Sequence, residues 1–163
     1  MKKRTVLVSI ALLFIFAVQS SASAPVLPNP VLYFLGQEFL TINGKQVTRY
    51  NFDVLNKSDY PDELFAASPN LPPCGSNTNS ARTWVEIEYR ELQSQQPHRI
   101  YGFCALGSPQ DLTRLWFALP NTGQKHPSPV YVVLNDRATT KKYVSNPVDI
   151  YAPPVQTKPG GTP

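Results

Sequence analysis

Apolar residues along this chain recur in short alternating runs, and no long segment carries the 3.6-residue spacing of an amphipathic helix. Residues 83–92 alternate most clearly. Val85, Ile87 and Tyr89 oppose Trp84, Glu86, Glu88 and Arg90, which predicts a strand with one buried and one wet face. Residues 46–55 repeat the pattern, with Tyr50, Phe52 and Val54 against Arg49, Asn51 and Asp53. Ahead of them, residues 31–35 read as a strand that bends at Gly36 and continues over 38–42 to the hairpin signal Asn43-Gly44. Further strands are predicted at 99–106, the antiparallel partner of 83–92, and at 115–119, 130–135 and 142–150. Both parities of 130–135 are apolar, so alternation leaves its inner face open.

The connections are rich in Gly, Pro, Asn and Ser. The longest, residues 56–81, holds four prolines and the polar tract 75–80, and within it Pro61-Asp62-Glu63-Leu64-Phe65 suits one helical turn with proline at the first position. Gly107-Ser108-Pro109 breaks the strand before it, and residues 111–115 suit a turn capped by Ser108 or Asp111. Some seven short strands without long helices predict an all-β, antiparallel sandwich. Its core is expected from Tyr50, Phe52, Val54, Val85, Ile87, Tyr89, Phe117, Val132 and Leu134.

Three features carry a resemblance to immunoglobulin-like and fibronectin type III-like sandwiches. They are the proline-rich lead-in of residues 25–30, the Trp near the start of Thr83-Trp84-Val85-Glu86-Ile87, and the paired closing segments 131–136 and 143–148. The resemblance covers most of residues 31–150 and implies an extracellular scaffold whose ligand is left open. The antibody-type intersheet disulfide is not carried over, because Cys74 falls in a loop rather than in a strand preceding the Trp.

The first 24 residues have the layout of a secretory signal peptide. Lys2, Lys3 and Arg4 lead an uncharged apolar run over 5–18, followed by small residues with cleavage after Ala22 or Ala24. The run spans roughly 21 Å as a helix, short of the ~30 Å hydrocarbon layer, so no stable membrane span is expected after cleavage. Residues 25–151 are then one domain, and 152–163, with four prolines and two glycines, a disordered tail. Removing the leader leaves 12 basic against 11 acidic residues. That near-neutral balance, with Arg82 near Glu86 and Glu88, and Asp136 beside Arg137, reads as a solvated face and argues against nucleic acid. In an oxidising periplasmic or extracellular compartment Cys74 and Cys104 are expected to pair and tie the long loop.

No catalytic or metal constellation is visible, and no cofactor is expected. Ser108 lacks the Gly-x-Ser-x-Gly context, and His98 and His126 sit beside prolines in polar segments. Glu86 and Glu88 share one strand face, unlike the separated carboxylates of glycosidases. Asn56-Lys57-Ser58 matches the N-glycosylation acceptor pattern. What remains is binding to a protein or glycan of the cell envelope or exterior. The candidate surface is Leu71, Pro72, Pro73, Asn77 and Asn79 in the tied loop, together with Trp84, which is either displayed or covered by a loop. The alternatives are a metal-handling protein or hydrolase using loop His and acidic residues, and a structural envelope component.

Overall fold

Asn43 and Gly44 adopt left-handed backbone, with φ of 51° and 74°, as a two-residue type I′ turn requires. They join β1 (Leu32–Ile42) to β2 (Lys45–Val54) in an antiparallel hairpin. The structure is a computed structural model and describes residues 26–73, 80–91, 93–103 and 106–153. The expected leader with both cleavage sites, Cys74, Asn77, Asn79, Cys104 and residues 154–163 lie outside the described residues. Gly36 sits at a β-bulge, where the register shifts between Phe34 and Gly36, and its φ of 128° is one that glycine adopts without a Cβ clash. The bulge resets the strand's parity. Leu32 and Phe34 are buried before it, and after it Gln37 and Phe39 lie opposite Tyr50 and Thr48.

The remaining strands are β3 (Thr83–Arg90), β4 (Pro97–Phe103), β5 (Leu115–Pro120), β6 (Val130–Asp136) and β7 (Lys141–Val144). They form two antiparallel sheets, one in the order β1-β2-β5 and the other in the order β4-β3-β6-β7. The chain therefore crosses between sheets after β2, after β4 and after β5. Phe34, Phe52 and Phe117 from the first sheet share one core with Val85, Ile87, Val132 and Leu134 from the second. Phe52 and Phe117 stack at 5.7 Å, and Tyr50 packs 5.0 Å from Phe117. Each such buried side chain contributes roughly 1.5 to 3 kcal/mol, which makes this interior the main support of the fold.

The connection from β2 to β3 is anchored by means that the sequence reading passed over. Tyr60, Leu64 and Phe65 are buried in the core. Ser68 N donates to Ser80 O at 2.8 Å and Arg82 N to Ala66 O at 3.0 Å, so the two limbs of the loop are zipped together. The helical turn is a 3-10 turn at Asp62–Leu64, with Pro61 as its N-cap rather than its first residue. The turn before β5 spans Pro109–Arg114 with Ser108 as N-cap, and Asp111 reaches back to accept from Gly107 N and Ser108 N.

Four expectations change. Tyr89 keeps core parity but is half-buried, because it lies at the end of β3 where the interior opens into a groove. Glu88, expected on the wet face with Glu86, is buried. β4 starts at Pro97, placing a proline at the first residue of an edge strand, where no ladder donor is needed. The last strand stops at Val144, and only an isolated bridge from Val148 to Val130 continues the pairing.

Candidate functional site

Around Trp84 the structure brings together part of the expected surface. Arg137, in the turn after β6, places its guanidinium 4.3 Å from the Trp84 ring and donates to the carbonyls of Ala81 and Pro72. Pro72 and Trp84 therefore meet through an arginine that the sequence reading had set beside Asp136 as a charge neighbour. Leu71 is half-buried and Pro73 exposed. Trp84 is covered on one side by this cation, a contact worth roughly 0.5 to 2 kcal/mol. Trp116 is likewise covered, with Arg49 at 4.7 Å and Tyr101 at 5.8 Å.

Arg137 N donates to Arg82 O, and Arg82 forms the shortest ion pair among the described residues. Arg82 donates Nε and Nη2 to the two oxygens of Asp136, at 2.9 and 2.7 Å. Thr139 Oγ1 and Ala138 N also donate to this buried carboxylate. These bonds, Arg82's first, lower its pKa to about 2. Arg82 thus pairs with Asp136, while Glu86, its expected neighbour, takes Arg99 at 3.0 Å and Asn135 at 2.8 Å. Burial, and then the charge of Glu86, push the Glu88 carboxyl up.

At the opposite end, the loop between β5 and β6 sets His126 near Ser128 and Asp149. Nε2 of His126 faces Pro120 O at 3.1 Å, and a carbonyl only accepts, so this nitrogen carries the proton. In the neutral ring Nδ1 then accepts from the Tyr50 hydroxyl at 2.7 Å. Ser128 Oγ instead donates to Asp149 at 2.8 Å, and Tyr151 N donates to the same oxygen. Those two bonds, the backbone one first, lower the Asp149 pKa. Three residue types of a hydrolytic triad are neighbours here, yet both His126 nitrogens are engaged elsewhere and no serine–histidine bond forms among the described residues. His98 stacks on Tyr89 at 5.0 Å, and its Nε2 is 3.4 Å from Glu91, an electrostatic contact without hydrogen-bond geometry.

The glycosylation match is engaged in structure. Asn56 accepts from Val31 N at 2.7 Å through Oδ1 and donates to Asn29 O at 3.0 Å through Nδ2, fastening the lead-in to the end of β2.

The surface that sequence reasoning missed is the far end of the β1–β2 hairpin, which runs past the covered core. Phe39 and Ile42 there are 70% and 49% exposed, and Leu35, back at the bulge, is 50% exposed. Phe39 lies on the same sheet face as buried Tyr50, above a groove of about 460 Å³ that Tyr151, His126 and Asn121 also line. Read in one dimension, Phe39 and Leu40 looked like ordinary strand residues. Leu40 is half-buried, and the exposure of Phe39 follows from the hairpin outreaching the second sheet, which alternation does not encode. The chain matches no family model, and the searches of curated proteins and of solved structures find no match to it.

Proposed function

We propose that this protein is an exported, non-catalytic binding module of immunoglobulin-like or fibronectin type III-like build, engaging its partner in the cell envelope or exterior through the protruding β1–β2 hairpin. The observation that carries the proposal is the exposure of Phe39 and Ile42, on opposite faces of the projecting half of the hairpin. Large apolar groups held in water on a defined hairpin mark an interaction surface more readily than single scattered ones do. The strand order, with the first, second and fifth strands in one sheet and the others in the second, supports the sandwich resemblance. Export and the Cys74–Cys104 tie belong to the same proposal and rest on the leader and the compartment it implies. The covered corner at Trp84 serves on this view to hold the long loop rigid.

Immobilised mature protein is to be incubated with envelope extract alongside a variant carrying Phe39→Asp and Ile42→Ser. Retention of a discrete species by the wild type, lost in a variant with unchanged circular dichroism, is the expected result. Equal retention by both proteins, or turnover of a defined substrate by the mature domain, would overturn the reading.

A further inference from the structure

The outer edge of β1 presents main-chain groups that the fold leaves open. Val31 O accepts from Leu55 N and so faces β2. The next residue faces away: Leu32 N donates to Asn146 Oδ1 at 2.8 Å, and Leu32 O accepts from Asn146 Nδ2 at 3.1 Å. A side-chain amide thus occupies the outer edge as a peptide group of a neighbouring strand would. Beyond the bulge, Gly36, Glu38, Leu40 and Ile42 turn toward β2, because the residues flanking a two-residue turn form its closing hydrogen-bonded pair and alternate residues follow suit. Gln37, Phe39 and Thr41 therefore direct their N–H and C=O groups outward, and among the described residues no hydrogen bond occupies that side.

Beside this edge runs a slot of about 480 Å³ between Phe34 and Gln37 on one wall and Ile150 to Pro153 on the other. It leads into the groove beneath Phe39, and both Gln37 and Tyr151 line the two spaces. The edge also lacks the usual guards against pairing, since residues 35–42 contain no proline, no lysine and only one charge, Glu38.

We infer that the outer edge of β1 is a strand-addition site, which takes an extended peptide segment of a partner chain with apolar residues at every second position. The segment pairs with Gln37, Phe39 and Thr41 while its apolar side chains lie against Phe39 and Tyr151. Outward donors and acceptors recurring every second residue, roughly 6.6 Å apart, match the repeat of a peptide backbone and not of a sugar chain. The inference rests on the hairpin reading above and adds how the hairpin binds.

The test uses the exported protein, labelled for nuclear magnetic resonance, and the acetylated and amidated peptide Lys-Thr-Val-Thr-Val-Thr-Val-Lys. Bound peptide is expected to slow exchange at the Gln37, Phe39 and Thr41 amides at least tenfold and to leave Glu38 and Leu40 unchanged. Thr41→Pro removes one outward N–H at an edge position that tolerates proline and keeps Phe39. It should weaken binding at least tenfold with circular dichroism unchanged, and Gln37→Pro should do the same. A peptide N-methylated at its valines should not bind. Protection elsewhere, no binding, or protection of these amides by a cello-oligosaccharide in place of the peptide would overturn strand addition. If Thr41→Pro and Gln37→Pro bind normally while Phe39→Ala does not, strand addition falls and the hairpin reading stands. If none of the three variants matters, both fall.

Discussion

Arg82 and Asp136 show what one residue pair can do that the sequence conceals. Fifty-four positions separate them, and they meet because β3 and β6 register Thr83 against Asp136. Nothing in alternation announces that register, so Arg82 was set beside the nearer Glu86. Arg82→Ala leaves a buried carboxylate without its cation and is expected to cost roughly 3 kcal/mol, read as a lower denaturant midpoint at pH 7. Because the Asp136 pKa lies at about 2 in the fold against an ordinary 3.8, its contribution is full above pH 3.8 and is lost as pH falls through 2. Glu88 has the opposite sign. Burial raises its pKa, so ionisation opposes folding as pH rises past the ordinary glutamate value. Glu88→Gln should therefore unfold at higher denaturant than the wild type at pH 7 and equally at a pH below that value, as thermal or chemical melts at both pH values will show.

Among the elements, those with local signals were legible. Asn43-Gly44 announced the hairpin, Gly36 the bend, and the alternation of residues 46–55 and 83–92 two buried faces. Less legible was the connection between β2 and β3, because Tyr60, Leu64 and Phe65 reach the core from irregular backbone with no period to reveal them. Tyr89 was read correctly for parity and wrongly for burial, since a residue next to a strand's end takes its cover from neighbours that the pattern does not describe. Gly36→Ala tests the bulge. Beyond its two chain neighbours, no atom of the described residues lies within 4 Å of where its Cβ would be, so the cost is backbone strain at φ 128°, about 1 to 3 kcal/mol in unfolding experiments. Asn146→Ala removes both bonds to Leu32 and should lower stability by about 1 to 3 kcal/mol, with faster hydrogen exchange at the start of β1.

For the whole molecule, two sheets around one core leave one hairpin reaching beyond the covered interior, and the candidate site follows from that mismatch of lengths. The sequence contains every residue of the site but not the overhang that exposes it. This is why the sequence pointed to the long loop and left Trp84 either displayed or covered, whereas the geometry covers one side of Trp84 with Arg137 and uncovers Phe39. The loop's rigidity has its own check. If Cys74 pairs with Cys104, replacing both by alanine should cost roughly 2 to 4 kcal/mol and leave the sandwich folded, with new proteolysis confined to residues 56–81. The most direct test of the hairpin is photo-crosslinking in intact cells that produce the protein. Benzoylphenylalanine is placed in turn at positions 39 and 42 on the hairpin, and at 71 and 142 elsewhere. The account predicts one discrete adduct from 39 and 42 that is missing from 71 and 142; an adduct from 71 or 142 with none from the hairpin would contradict it.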